Sequence, residues 1–522
     1  MIRSRMDKLL AVLVFVLTES MCCLSNRYTP KAAGPGTFSF ASYYGDHMVL
    51  QKEPLQAIIW GYAVRSGYIL ELSMTPGLKY STHVVPNPSG SGGIWAVKLP
   101  PIKETGPYNI TVTYVDGTLH LTDVLFGDVW LCSGQSNMQF TLDMAFNATE
   151  ELEDSKNYPN IRLFTVAMTQ SQKPATDLLG IEEKWSIPNK DTVGHKPWSY
   201  FSAVCWLYGK YLYKKLNYPI GLISSTWGGT PIEAWSSADA LAQCNVKDYS
   251  QDERMAHSVL WNAMIHPLVN MTIYGAIWYQ GEANAGSPDN YKCLFTAMIG
   301  DWRNKFYDGT NQATNQMFPF GFVQLAPYRN NSSIIKGWPD IRWHQTADIG
   351  YVPNYILTNV FMAVAMDLPD FKSPFGSVHP RDKQDVAKRL VIGGLAIGYF
   401  TLRIEYDNST SILDIRSNDG FEVCCSTNNQ SRCDGTDSIW MTAPLIQHDQ
   451  HSITMSYKGN CSRKYVMGIR YEWRESPCLS KQCAVYNANN GLPAPPVIEL
   501  GLFGSASNHY VSYKGLPRKR FI

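Results

Sequence analysis

The chain has 522 residues, 45% hydrophobic and 17% charged, enough for about three domains around a sizeable core. Lys and Arg (45) nearly balance Asp and Glu (44), and the formal net charge of +1 makes no electrostatic case for nucleic acid or an anionic membrane surface. Aromatic residues are plentiful, but they are more often core than sugar-binding platforms.

At the N-terminus Arg3, Arg5 and Lys8 precede an uninterrupted apolar run, Leu9 to Leu17, and then small or polar residues. A membrane span needs about 20 apolar residues. This shorter run has the form of a signal-peptide core. Residues 1–23 are therefore expected to be a signal peptide, and no later segment is apolar enough to span. Two further features agree with a lysosomal or secreted destination. Asn-X-Ser/Thr sequons begin at Asn109, Asn147, Asn270, Asn330, Asn331, Asn408, Asn429 and Asn460, a density that fits a glycosylated lumenal chain. Cysteines crowd the C-terminal part as Cys424, Cys425, Cys433, Cys461, Cys478 and Cys483, and in an oxidising compartment they read as disulfides. Cys478 and Cys483 do not form a C-x-x-C pair and no His pair stands near them, so zinc is not expected there. Connectivity is not deducible.

Residues 37–125 read as a β-sandwich-like domain. Short β-branched and aromatic runs such as "QAIIWGYA", "YILELSM" and "YNITVTYVDGTLHLTDVLF" are divided by Pro-Gly, Gly-Ser-Gly and Asp-Gly turns. Across 126–399 the pattern changes to strands alternating with helical stretches. "DVWLC", "PIGLISSTWGG", "IYGAIWYQGEANAG", "FPFGFVQLAPY" and "VFMAVAMDLPD" are strand-like. "FSAVCWLYGKYLYKKL", "SVLWNAMIHPLV", "YKCLFTAMIGDWRNKF" and "RDKQDVAKRLVIGGLAIGYF" have helical spacing. That alternation predicts a parallel sheet covered by helices. Over 400–515 short strands and cysteines return as a C-terminal disulfide-containing β-domain.

In such sheets ligands bind beyond the carboxyl ends of the strands. The loops there are "SGQSNM" (133–138), "STWGGTPIEAW" (225–235), "YQGEANAG" (279–286) and the segment leading to "GSVHPRDK" (376–383). Together they hold a serine, paired glycines, an amide and a histidine, which are the parts of acyl transfer. A serine hydroxyl needs an imidazole to take its proton. The tetrahedral oxyanion needs fixed N–H donors, and glycine lets backbone approach closely. Each part has a plainer reading. Ser136 alone is most often a turn residue, Gly228-Gly229 a flexible turn, His379 a helix-entry residue, and Gln280, Glu282 and Asn284 solvated. Their shared position after strands favours the functional one. No H-E-x-x-H motif or clustered His occurs, so neither metal nor cofactor is expected.

The segments "GDVWLCSGQSNM", "STWGGTPIEAW", "WYQGEANA" and "HPRDKQDVAKRL" resemble the sialate O-acetylesterases of the SGNH-hydrolase superfamily. The resemblance runs from "GDHMVLQKEPLQAIIWG" to "NNGLPAPP", nearly the whole chain after the signal. It implies a three-layer α/β/α catalytic domain and an esterase that removes acetyl groups from sialic acids, chiefly at O9. Carried over by motif, Ser136 is the nucleophile and His379 the base. The N–H of Ser136, Gly229 and the Gln280 side chain form the oxyanion hole. Many relatives have an aspartate two or three residues before the histidine, where this chain has Ser377 and Gly376. Asp367 or Asp370 is then the orienting carboxylate, or a backbone carbonyl holds the ring in a Ser–His dyad. Other expectations stay open: deacetylation of another O-acetylated carbohydrate, or a secreted carbohydrate-binding protein with a disabled esterase site.

Overall fold

Alternation of apolar and polar residues sets the N-terminal strands. In β4 (Ile69–Met74) Leu70, Leu72 and Met74 are buried, and in β8 (Tyr108–Tyr114) Tyr108, Ile110, Val112 and Tyr114 are. The structure is a computed structural model that describes residues 34–246, 255–398, 401–406, 412–426, 433, 440–448, 450–457, 465–504 and 510–514. The expected signal peptide, Cys461 and the sequons at Asn408, Asn429 and Asn460 lie outside the described residues. Strands β1 (Ser39–Phe40), β3 (Ile58–Ala63), β6 (Val85–Pro86) and β7 (Gly93–Lys98) form one antiparallel sheet in the order β1-β3-β7-β6. Strands β4, β5 (Leu78–His83) and β8 form a second antiparallel run.

The second run does not end at residue 125. It continues through β9 (Gly117–Gly134), antiparallel to β8 at first and flanked in parallel by β2 (Val49–Gln51) over residues 125–127. From Val124 every residue of β9 is buried, because both faces of the strand become covered. The expected strand "DVWLC" is therefore the second half of one long strand, not a separate element. The buried core likewise runs without a break from Ala41 to Leu395.

The second half of β9 is the centre of the main sheet. Its neighbours are β10 (Ile161–Val166), β11 (Ile181–Ser186), β12 (Ile220–Thr226), β13 (Gly275–Tyr279), β14 (Phe320–Gln324) and β15 (Val360–Val364), in the order β11-β10-β12-β9-β13-β14-β15. All pair in parallel except β11, which is antiparallel to β10, so the expected parallel sheet has one antiparallel edge. The edge strand reads IEEKWS and buries only Trp185, as befits a strand with one covered face.

Helices cover both faces. The relevant ones are α1 (Ser136–Gln139), α2 (Ala203–Leu216), α3 (Tyr291–Gly309), α4 (Trp338–His344) and α5 (Lys383–Gly398). Helix α2 starts at Ser202, whose Oγ accepts from the Cys205 N–H at 3.2 Å, and it packs Tyr208 edge-on against Trp130 of β9. Trp302 of α3 meets Trp278 of β13. A disulfide joins Cys132 of β9 to Cys205 of α2, and another joins Cys244 to Cys293.

The C-terminal strands, Thr401–Glu405 through Tyr510–Lys514, form two four-stranded sheets and a two-stranded ladder around a separate buried core. Cys424–Cys433 and Cys478–Cys483 are disulfides, and Cys425 is disulfide-bonded too. Glu472 lies near Cys478 and Cys483, but their sulfurs are joined to each other and offer no thiolate pair to a metal. Among the described residues no helix is long and apolar enough to cross a membrane.

Candidate active site

Strand β9 stops at Gly134, whose φ is +140°, and a Cβ there would sit 2.2 Å from the Tyr279 carbonyl oxygen. Only glycine lets β9 run this close to the end of β13 and then break at once into α1. Ser136 is the first residue of α1, at the carboxyl end of the central strand. The turn after β12 comes down beside it. A Cβ on Gly228 would lie 3.2 Å from the Ser136 Cβ, and the Gly228 N–H donates to Gln139 Oε1 at 2.8 Å. Gly229, with φ +75°, follows in the same turn. The N–H groups of Ser136 and Gly229 have no acceptor among the described residues.

His379 arrives from the segment after β15. Gly376, with φ +89°, turns the chain so that its own carbonyl accepts the His379 N–H at 2.8 Å. Ser373 Oγ donates to the His379 carbonyl at 2.7 Å. The ring then bridges two groups. Nε2 stands 2.9 Å from Ser136 Oγ, and Nδ1 stands 2.7 Å from the Phe375 carbonyl oxygen. A carbonyl can only accept, so Nδ1 carries the proton and Nε2 presents its lone pair to the serine hydroxyl. Trp198 packs edge-on against the imidazole at 5.0 Å, within an aromatic wall that includes Phe140 and Phe375. Burial behind this wall pulls the His379 pKa below its ordinary value. The Lys383 charge adds to that effect and the Phe375 carbonyl opposes it.

Two expectations do not hold. Asp367 is not an orienting carboxylate. It is exposed and forms a fork with Arg389, at 2.5 and 2.8 Å, which holds its pKa low. Asp370 is engaged as well, by Arg381 Nε at 2.6 Å and Nη2 at 3.1 Å, and so it fastens the histidine segment rather than the ring. Gln280 does not offer a donor to the oxyanion position. The side chain is fully buried, and Nε2 donates to the Thr230 carbonyl at 3.2 Å and to Asn284 Oδ1 at 2.7 Å, while Oε1 accepts from Tyr291 at 3.0 Å. It ties the loops after β12 and β13 together.

A second group of residues joins the serine turn to the histidine segment. Asn137 Nδ2 donates to the Val378 carbonyl at 2.8 Å and to Glu282 Oε1 at 2.6 Å. Its Oδ1 accepts from Lys383 Nζ at 2.6 Å. One amide thus holds the neighbours of both Ser136 and His379. Lys383 is fully buried, over the rings of Phe140 and Tyr279, and burial lowers its pKa to about 7 against the pull of Glu282. Burial raises the pKa of Glu282. These residues stand inside "GQSNM", "QGE" and "HPRDK", but adjacency to a motif was their only signal in the sequence.

Residues 126–371 match the family described as carbohydrate esterase, sialic acid-specific acetylesterase, and residues 395–501 match the sialate O-acetylesterase C-terminal domain. The chain is 42% identical to the sialate O-acetylesterase of Rattus norvegicus over 89% of this chain and 95% of the relative. The chain belongs to the sialate O-acetylesterase family. The Homo sapiens sialate O-acetylesterase is 43% identical over 90% of this chain and 94% of its own. A solved carbohydrate acetylesterase from Xanthomonas citri superposes with a TM-score of 0.59 at 26% identity, over 88% of this chain and 99% of that one. This sialate O-acetylesterase family chain therefore covers its relatives almost from end to end, catalytic and C-terminal regions alike.

Proposed function

We infer that the protein is a serine esterase that removes O-acetyl groups from sialic acids, chiefly at O9. The observation that carries this reading is the Ser136 Oγ–His379 Nε2 contact of 2.9 Å, in a chain of this family. Neutral His379 takes the hydroxyl proton as Ser136 attacks the acetyl carbonyl. The oxyanion forms against the N–H groups of Ser136 and Gly229. Collapse expels the sugar hydroxyl, which takes its proton from His379, and leaves an acetyl-Ser136 ester. Water, deprotonated by the same imidazole, then releases acetate. The Phe375 carbonyl holds the ring, so the pair works as a dyad. The secretory-pathway reading, lysosomal or secreted, rests on the signal-like N-terminus and the sequons.

Ser136→Ala is expected to lower kcat on a 9-O-acetylated sialic acid by about 10^4-fold or more while the chain folds normally. A fluorophosphonate should label Ser136 in the native enzyme. Near-normal turnover in the variant, or labelling at another serine, would exclude this assignment.

A further inference from the structure

Two cavities flank the loop that follows β13. One, of about 550 Å³, is lined by Glu233, His257 and Asn284 among others and has no Lys or Arg among the described residues of its wall. The other, of about 440 Å³, is lined by Glu282, Tyr328, Arg329, Lys336, Trp338 and Arg342. Both are of ligand size, but their charges differ. The second carries three cations and a single carboxylate, and Glu282 directs that carboxylate toward Asn137.

The cations of this pocket lack the carboxylate that several arginines elsewhere have, and Arg342 also differs from Arg303, which has no carboxylate but spends Nε, Nη1 and Nη2 on carbonyl oxygens. Arg162, Arg381 and Arg389 each meet an aspartate. Among the described residues Arg329, Lys336 and Arg342 meet none. Arg342 is the most telling. It is half-buried on α4, and its Nε donates to the Leu325 carbonyl at 2.8 Å, which fixes the guanidinium. Nη1 and Nη2 have no acceptor among the described residues. Withdrawing a cation from water without a counter-charge is unfavourable, and burial lowers the Arg342 pKa accordingly. A planar fork held at one edge and open at the other suits a carboxylate. Beside it Tyr328 and Trp338 lie 5.2 Å apart with their rings tilted by 36°, and Trp338 Nε1 donates to the Ala326 carbonyl at 2.8 Å, so this apolar wall is also fixed. The pocket lies beyond the carboxyl ends of β13 and β14. Glu282 connects it to Asn137, the residue after the nucleophile.

We propose that this pocket is the subsite for the carboxylate end of the acetylated sugar acid, with Arg342 binding the carboxylate and Tyr328 and Trp338 walling the ring. The proposal rests on the esterase reading and deepens it. In a sialic acid the carboxylate and O9 lie at opposite ends of the molecule, so a cation in a pocket set apart from the nucleophile, and joined to it through Glu282 and Asn137, selects the substrate by the end that does not react.

The test compares kcat/KM for 9-O-acetyl-N-acetylneuraminic acid with that for its neutral carboxamide, using the full mature chain. The native enzyme is expected to prefer the acid by on the order of 10- to 100-fold, the worth of a hydrogen-bonded charge pair. Arg342→Gln should bring the ratio close to one, mainly through KM, and Arg342→Lys should restore part of it. Unaltered melting and fluorophosphonate labelling of Ser136 in each variant separate this from misfolding. A ratio near one in the native enzyme, or a full preference surviving in Arg342→Gln, overturns the subsite. If an aryl acetate is cleaved but neither sugar is, the esterase's substrate reading fails by itself. The subsite is then decided by inhibition of aryl acetate hydrolysis by free N-acetylneuraminate. Inhibition about tenfold weaker in Arg342→Gln upholds it, and equal or absent inhibition overturns it.

Discussion

The proposed chemistry at Ser136 depends on which ring nitrogen of His379 is protonated, and the Phe375 carbonyl decides that. A carbonyl fixes the tautomer but cannot ionise. The site therefore has no carboxylate whose loss would reverse the ring. Asp367→Asn should cost less than about threefold in kcat, against up to about 10^4-fold for a true triad aspartate; a loss of that larger size would restore the carboxylate. An imidazole acts as base only when neutral, and burial lowers the His379 pKa. The enzyme should stay active as pH falls past the usual imidazole value near 6.5 and lose kcat/KM only below it. Lys383 adds to that depression. Lys383→Met should move the acid limb of the pH profile upward and, by freeing Asn137, lower kcat. A profile unchanged in midpoint would show that Lys383 does not act on the ring.

The site is assembled where elements end, and two glycines and a disulfide set those ends. At Gly134 a methyl group would meet the Tyr279 oxygen at 2.2 Å, with backbone on both sides unable to give. Gly134→Ala should destabilise by about 3 kcal/mol or more, or prevent folding, as read by denaturant unfolding. Gly376 is different. A Cβ there would lie 4.0 Å from the His379 ring nitrogen, so strain at φ +89° is the main penalty. The Cys132–Cys205 link closes a separation of 73 residues and joins the strand that leads to Ser136 to α2. Replacing both cysteines by alanine should cost about 2–4 kcal/mol in thermal or denaturant unfolding. An unchanged transition would mean that packing around α2 already fixes that distance.

For the whole molecule, the N-terminal strands and the catalytic sheet share both a strand and a core, while the C-terminal strands have a core of their own. Removing residues 37–116 would strip the β8 partner from β9 and expose apolar surface, so the remaining chain should be insoluble. If it stays soluble and active, the shared core is dispensable. A secretory-pathway protein should begin near residues 21–24 once processed. Asn109 and Asn147 are exposed, whereas Asn270 is half-buried. Intact-protein and peptide mass spectrometry should find glycans on the first two before the third.

That Ser136 and His379 would meet was legible because the signals of each are local. Ser136 and His379 each sit in a short polar motif directly after an apolar strand, and strand-end loops converge in any sheet of this kind. Composition and period likewise separated strand-rich from alternating regions. Tertiary structure decided the rest, for physical reasons. A backbone carbonyl belongs to every residue, so nothing in the letters marks Phe375 as the group that holds the ring. Whether the Gln280 amide is free depends on Thr230, fifty positions away. The Asn137–Lys383 bond spans 246 positions. The end of the N-terminal region vanished into β9 because the alternating first half and the continuously buried second half of that strand differ only in what covers them, which no stretch of sequence contains.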